Sequence, residues 1–132
     1  MIFVDSSVWI QYFNGETTWQ ALYLDNLLEQ ELIATGDLIL TEVLQGFRSD
    51  MIFRRAIQLF SPLPFYTMLG RDIAIQSAHN YRILRKNGVT VRKTIDVMIA
   101  TFCIANHLPL LHSDRDFYPM ENYLKLPVIK HT

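Results

Sequence analysis

Four carboxylic acids stand where this chain passes from an apolar run into the next element. Asp5 follows Met1–Val4, and Glu42 follows Leu38–Thr41. Asp96 opens the apolar stretch Ile95–Ala105, and Asp114, with Asp116 two residues on, follows Leu110-Leu111-His112-Ser113. Runs of this kind, separated by helical spans, predict strands that alternate with helices. In such an α/β sheet, residues just past the strand carboxyl ends face a shared crevice. Acids from distant segments would meet there and repel one another, so the cluster calls for a cation. Oxygen ligands alone suit Mg²⁺ or Mn²⁺. These residues therefore point to a metal-dependent phosphodiesterase.

The 132 residues fit one domain, 1–132. A chain this long buries roughly two-thirds of its unfolded surface, enough for a core without staples. Half of the residues are hydrophobic, which excludes a disordered chain. Cys103 is the single cysteine, so an internal disulfide and a Cys-rich zinc site are both excluded, in keeping with a reducing cytoplasm. The opening Met-Ile-Phe-Val-Asp has no basic region, so it does not read as a signal peptide, and no apolar run is long enough for a membrane span. The expected location is cytoplasmic, with no membrane partner.

A net charge of −1 gives no global support for nucleic-acid binding. Locally, Arg82, Arg85, Lys86, Arg92 and Lys93 fall within twelve residues with no acid among them. A basic run is often only a solvated helix end. Its place just before Asp96 makes Arg85, Arg92 and Lys93 candidates for contacting a nucleic-acid phosphate backbone.

Local signals set the expected elements. Ile2–Val4 reads as a buried strand, and Ser6 or Ser7 as the cap of a helix that leaves Asp5 free. Thr17 or Thr18 starts a second helix, with Leu24, Leu27, Leu28 and Leu32 on one face and Gly36 as its end. Leu38-Ile39-Leu40 reads either as a strand or as the approach to a helix near Thr41, which would hold Glu42 in its first turn. Asp50 opens a helix with Ile52, Phe53, Ala56, Ile57 and Phe60 on its apolar side; Pro62 and Pro64 close it. Leu63–Met68, Pro109–Ser113 and Pro127–Ile129 are further strand candidates. A long helix runs from Gly70 to Asn87, stopped by Gly88, and Thr94 caps a helix that is apolar nearly all round and therefore buried. The expected fold class is α/β, with a short, mainly parallel sheet covered on both faces.

Taken singly, each acid has a structural reading. Asp5 suits an N-cap, and Glu42 suits the positive end of a helix. Asp96 is different, because Ile95, Val97, Met98 and Ile99 surround it and place it at the edge of the core or in a pair. His112, inside a strand candidate, reads as a packing or hydrogen-bonding residue.

Four blocks carry a resemblance. They are Met1-Ile-Phe-Val-Asp5-Ser-Ser7-Val-Trp-Ile, Asp37-Leu-Ile-Leu-Thr-Glu42-Val-Leu-Gln-Gly46, Thr94-Ile-Asp96-Val-Met-Ile-Ala-Thr101 and Leu110-Leu-His-Ser-Asp114-Arg-Asp116-Phe117. In this order and spacing the chain resembles the PIN domain, specifically the VapC-type toxin nuclease of bacterial type II toxin–antitoxin pairs. The resemblance implies a PIN-like three-layer α/β/α fold. It implies endoribonuclease cleavage of single-stranded or loop RNA by water that a bound Mg²⁺ or Mn²⁺ activates, leaving 5′-phosphate and 3′-hydroxyl ends. It implies a homodimer, a cognate VapB-type antitoxin and a higher toxin–antitoxin assembly. Asp5, Glu42 and Asp96 match the central acids. Either Asp114 or Asp116 is the fourth, with Asp114 favoured as the first after the strand. Asp5, Asp96 and Asp114 are the expected metal ligands, while Ser7 and Thr94 match supporting polar residues.

Two other classes compete. A phospho-acceptor receiver module is also α/β and also holds Mg²⁺ with carboxylates. It needs paired acids after the first strand and a Lys after a late one, whereas this chain has Asp5-Ser6-Ser7 and no Lys within Leu108–Phe117. A non-catalytic protein-binding module would use the aromatics Trp9, Tyr12, Phe13, Trp19 and Tyr23 as a groove for a partner helix.

Overall fold

A computed structural model of the chain describes residues 1–30 and 32–131. Strand β1 is Ile2–Val4, followed by helices α1 (Ser6–Phe13) and α2 (Trp19–Gln30). Strand β2 (Ile33–Gly36) runs directly into α3 (Asp37–Gln45), and α4 is Asp50–Phe60. Strand β3 (Phe65–Tyr66) precedes the long α5 (Gly70–Lys86) and then α6 (Thr94–Ala105). Strand β4 (Leu110–Leu111), a 3₁₀ turn over Arg115–Phe117 and α7 (Tyr118–Leu124) complete the described elements.

The strands form one sheet in the order β3-β2-β1-β4, with every pairing parallel. Consecutive strand residues are buried: Phe3 and Val4, all four of β2, and both of β4. Neighbouring side chains on a strand point to opposite faces, so both faces are covered. The helices pack as two sets, α1 with α2 and α3, and α5 with α6 and α7. The result is the expected three-layer α/β/α fold. After β1 the chain adds β2 and then β3 on one side, and later returns to place β4 on the other. The order therefore reverses beside β1, the position where open α/β sheets form their crevice. Pro127–Ile129, expected as a strand, contributes a single parallel bridge between Leu110 and Val128.

The second strand lies elsewhere than expected. Leu38-Ile39-Leu40 is helical, inside α3, and Gly36 ends β2 rather than α2. Glu42 accordingly sits in the second turn of α3, not its first. The cause is the crowding of β2 against β3. A Cβ on Gly36 would lie 2.5 Å from Met68 Cγ and 2.9 Å from the Tyr66 carbonyl oxygen, so only glycine fits. One residue on, the Asp37 carboxylate accepts the backbone N–H groups of Leu38 and Met68 at 2.9 and 3.0 Å. That fork starts the helix, and Ile39 and Val43 supply its buried stripe at helical spacing.

Other expectations hold with small changes. Thr18 begins α2, its hydroxyl accepting the Ala21 N–H. Gly88 ends α5 with φ +79°, the left-handed conformation that suits glycine. Ser49 caps α4, whose Ala56 and Phe60 are buried while Ile52, Phe53 and Ile57 remain exposed. Of the aromatics that could form a partner groove, Trp9 is fully buried in the core beside Phe13 and Phe60, and Trp19 stacks on His131. Among the described residues no helix is long and apolar enough to cross a membrane.

Candidate active site

Backbone pairing delivers the acids to one edge of the sheet. The Asp5 N–H donates to the Leu111 carbonyl, which extends the β1–β4 ladder by one residue and brings Asp5 beside the loop after β4. Asp5, rather than Ser6 or Ser7, is the N-cap of α1. Its Oδ2 accepts the Ser7 N–H at 3.0 Å and the Ser7 hydroxyl at 2.6 Å. The freedom expected for Asp5 is confined to Oδ1, which is buried without a hydrogen-bond partner. Ser7 Oγ in turn accepts the Ser113 N–H at 3.0 Å, and Gln11 donates to Ser113 Oγ at 2.7 Å. Helix α1 is thereby pinned to the β4 loop.

The remaining acids arrive from three further elements. Ser6 Oγ donates to Glu42 Oε1 at 2.9 Å and fixes α3 against α1. Asp96 lies in the first turn of α6 and is 3% exposed. Asp114 caps the 3₁₀ turn by accepting the Asp116 N–H at 2.9 Å. Single carboxylate oxygens of Asp96, Asp114 and Asp116 lie within 4.8 Å of one another. Asp116 therefore stands in the tight trio, while Asp5, expected as a ligand, stands outside it with Oδ2 turned back to Ser7. Asp5, Glu42 and Asp114 all still act electrostatically on Asp96.

Two cations balance the cluster. Lys93 Nζ lies 3.6 Å from Asp96 Oδ2 and 3.7 Å from Asp114 Oδ2, and Arg92 Nε lies 3.9 Å from Asp116 Oδ1. These two members of the basic run reach the acids. Arg85 does not; its guanidinium lies 5.8 Å from the Tyr81 ring centroid on α5. Thr94 is also elsewhere. Lys93 holds the N-cap position of α6 without a side-chain bond, and Thr94 faces the groove lined by Tyr81, Arg82 and Met98. His112 braces the β4 loop. Its Nδ1 accepts the Asp114 N–H at 3.2 Å, which leaves the proton on Nε2 to bond Glu121 at 2.9 Å.

Burial is the main force on the acids' protonation. It raises Asp96 from its ordinary 3.8 to about 7, against the pull of Lys93 and with added push from Asp5, Asp114 and Glu42. Burial likewise raises Asp5, opposed by the Ser7 bonds, and Glu42, opposed by the Ser6 bond. For Lys93, burial pulls downward, but Asp96, Asp114, Glu42 and Asp5 together outweigh it and the ammonium is held more firmly. The folded state thus keeps protons on its acids at pH values where the unfolded chain has released them. Stability must then fall as pH rises from about 4 toward 7; the Lys93 shift acts only above this window. In a chelator, melting temperature should drop between pH 5.5 and 7.5, and Asp96→Asn should flatten that slope. A wild-type melting temperature that rises over this range would contradict the assignment.

The donor set fits a hard divalent cation. It consists of oxygens alone, it is crowded with negative charge, and Asp5 Oδ1 and Asp96 Oδ2 are buried acceptors lacking hydrogen-bond donors. Sequence reasoning missed several contributors. Ser6 and Gln11 act across 36 and 102 residues of chain, separations that no local pattern signals. Arg115 and Tyr118 line a cleft of about 320 Å³ beside Asp96 and Asp116.

Comparison with known proteins agrees with this geometry. The PIN domain family matches residues 2–122. The chain is 34% identical over 122 residues to VapC ribonuclease Mb1587 of Mycobacterium bovis and to ribonuclease VapC11 of Mycobacterium tuberculosis, covering 89% of this chain and 89% of each relative. Its fold is similar to VapBC2 of Rickettsia felis bound to a promoter DNA fragment, with a TM-score of 0.77, 16% identity and full coverage of both chains. It is also similar to FitAcB of Neisseria gonorrhoeae, with a TM-score of 0.70, 15% identity and coverage of 98% and 97%. The acids gathered at the strand-order reversal, the three-layer fold and these matches lead to one conclusion: the chain belongs to the PIN domain family.

Proposed function

We propose that this protein is a toxin endoribonuclease that requires Mg²⁺ or Mn²⁺, cuts single-stranded or loop RNA, and is inhibited by a cognate VapB-type antitoxin. The observation that carries the reading is the convergence of Asp5, Glu42, Asp96, Asp114 and Asp116 at one sheet edge, where buried Asp5 Oδ1 and Asp96 Oδ2 have no hydrogen-bond donor, the latter meeting only the Lys93 ion pair at 3.6 Å. The ribonuclease names of the 34%-identical relatives support the activity, and the VapBC name of a fold neighbour supports an antitoxin partner.

Asp96, Asp114 and Asp116 would hold the cation, and the Asp5 carboxylate adds its charge, acting on Asp96. When bound, the cation supplies positive charge against the phosphate and makes water a stronger nucleophile at neutral pH. The chain's own residues do the rest. Ser7 and Ser6 hold Asp5 and Glu42 in fixed orientation, so no rearrangement is needed when charge builds up. Arg92 and Lys93 stand at the cluster and meet the phosphate backbone. Arg85 would serve only as a distant contact on the same basic stretch. A homodimer, a further toxin–antitoxin assembly and a cytoplasmic site of action belong to the same reading.

The test uses purified protein and a generic single-stranded RNA. Cleavage should appear with Mg²⁺ or Mn²⁺, vanish in a chelator, stop on addition of the antitoxin, and leave 5′-phosphate ends. Chelator-resistant cleavage with 2′,3′-cyclic phosphate ends would replace water with the RNA's own 2′-hydroxyl and refute the mechanism.

A further inference from the structure

The cleft beside the acids is built differently from the acids themselves. It is lined by the segment Val89–Arg92, by Asp96, and by the 3₁₀ turn and start of α7. Its apolar lining is Val89, Val91, Pro119 and Met120; its charged lining is Arg92, Arg115, Asp96 and Asp116. Tyr118, which lines both this cleft and the neighbouring one with His112 and Glu121, is 58% exposed and packs on the His112 ring, 5.9 Å away at 60°. His112 is itself anchored to Glu121 and to the Asp114 N–H. A large aromatic that is exposed but braced from behind is a poor core residue and a good stacking surface.

We propose that this cleft is the base subsite for the nucleotide next to the scissile phosphate, with Tyr118 as its stacking platform and Arg115 as a second phosphate contact beside Arg92. The proposal rests on the ribonuclease reading and deepens it. The charge arrangement favours RNA over a protein segment. Two of the acids, Asp96 and Asp116, line it, and a cation held there would draw one phosphate. Both arginines line the cleft, Arg92 is paired with Asp116, and Arg115 forms no ion pair among the described residues. An exposed ring in a cleft that also holds cationic groups accepts any base, because every base has a π face, so the subsite orients the strand without reading its sequence.

The experiment places 2-aminopurine at successive positions of a single-stranded RNA and titrates it, with Mg²⁺ present, with protein in the Glu42→Gln background, which disables a central acid but keeps the Asp96, Asp114 and Asp116 trio. At one position beside the cut, binding should quench the fluorescence. Tyr118→Leu should remove that quenching and weaken binding about tenfold, within the range a stacked base contributes, while Tyr118→Phe should retain both. An RNA lacking the base at that position should bind Tyr118→Leu and its parent equally. Cleavage assays with Glu42 intact complete the test. If the protein cuts RNA in Mg²⁺ and Tyr118→Leu cuts and binds unchanged, the subsite is wrong and the ribonuclease reading survives. The subsite is equally wrong if Tyr118→Leu loses affinity for the antitoxin alone. If the unaltered protein neither binds nor cuts RNA, both fall.

Discussion

We expect Asp96→Asn to abolish RNA cleavage and to raise, not lower, the stability of the metal-free protein. Asn nearly matches Asp in shape but lacks the charge that binds a cation. Loss of one fixed charge-stabilising group costs about 10²–10³-fold in rate, and loss of a cation with it costs more. The stability arm follows from the balance at Asp96. Its proton is held to about pH 7 in spite of Lys93, so burial and the neighbouring acids outweigh that ion pair and the charged form is the disfavoured one. A neutral side chain removes the penalty, and Lys93 keeps Asp114 as a partner. At pH 7.5 in a chelator the melting temperature should rise by a few degrees, the shift produced by about 1 kcal/mol in a chain of this size. Added Mg²⁺ should stabilise the parent and not the variant. Cleavage that survives in the folded variant would remove Asp96 from the site. The paired readout matters because a variant that is inactive yet more stable cannot owe its inactivity to unfolding.

That acids at the sheet edge were legible in the sequence follows from local chemistry. Ile2-Phe3-Val4 is a contiguous apolar run, and an acid directly after it has one place to go. Asp96 was conspicuous because its neighbours are apolar on every side. The long α5 was legible from its two glycines, Gly70 and Gly88, which both adopt positive φ. What stayed hidden depends on distant contacts. Strand β2 uses Ala34, Thr35 and Gly36, small residues that suit the closeness of β3 and carry no strand signal, while the more apolar Leu38-Ile39-Leu40 read equally as a strand or as the approach to a helix. Strands β3 and β4 have two residues each, too few to show a period of two. The caps of α1 and α6 differ from expectation for one reason. A side chain's cap role depends on where the backbone turns, and Asp5 serves as cap and cluster member together, one oxygen for each. The trio of Asp96, Asp114 and Asp116, the counterion role of Lys93, and the Tyr118 cleft all require α7 and the loop before α6 to be in place. No spacing along the chain encodes that.

Trp9→Ala should be the most destabilising single truncation near the site, at about 3–5 kcal/mol, the cost of emptying a large aromatic site in a core. A domain's whole margin is only about 5–15 kcal/mol. The ring is fully buried, with Phe60 at 4.5 Å and Tyr12 and Phe13 each at 6.1 Å between centroids. It therefore joins α1 to α4, while its backbone N–H donates to the Asp5 carbonyl at 3.3 Å. The cavity would open one turn behind the cap that orients Asp5, so activity should fall along with stability. Trp9→Phe separates packing from polarity. The indole Nε1 is buried with no hydrogen-bond partner, so phenylalanine loses some volume but also removes an unsatisfied donor. Its cost in denaturant unfolding should be less than half that of alanine. The Phe60→Ala change should be strongly non-additive with Trp9→Ala, because each removes the other's main partner. Additive costs for that pair would mean that Trp9 stabilises the fold through some contact other than the aromatic cluster. An alanine variant as stable as its parent would mean that α1 is held by the Ser6, Ser7 and Gln11 hydrogen bonds alone.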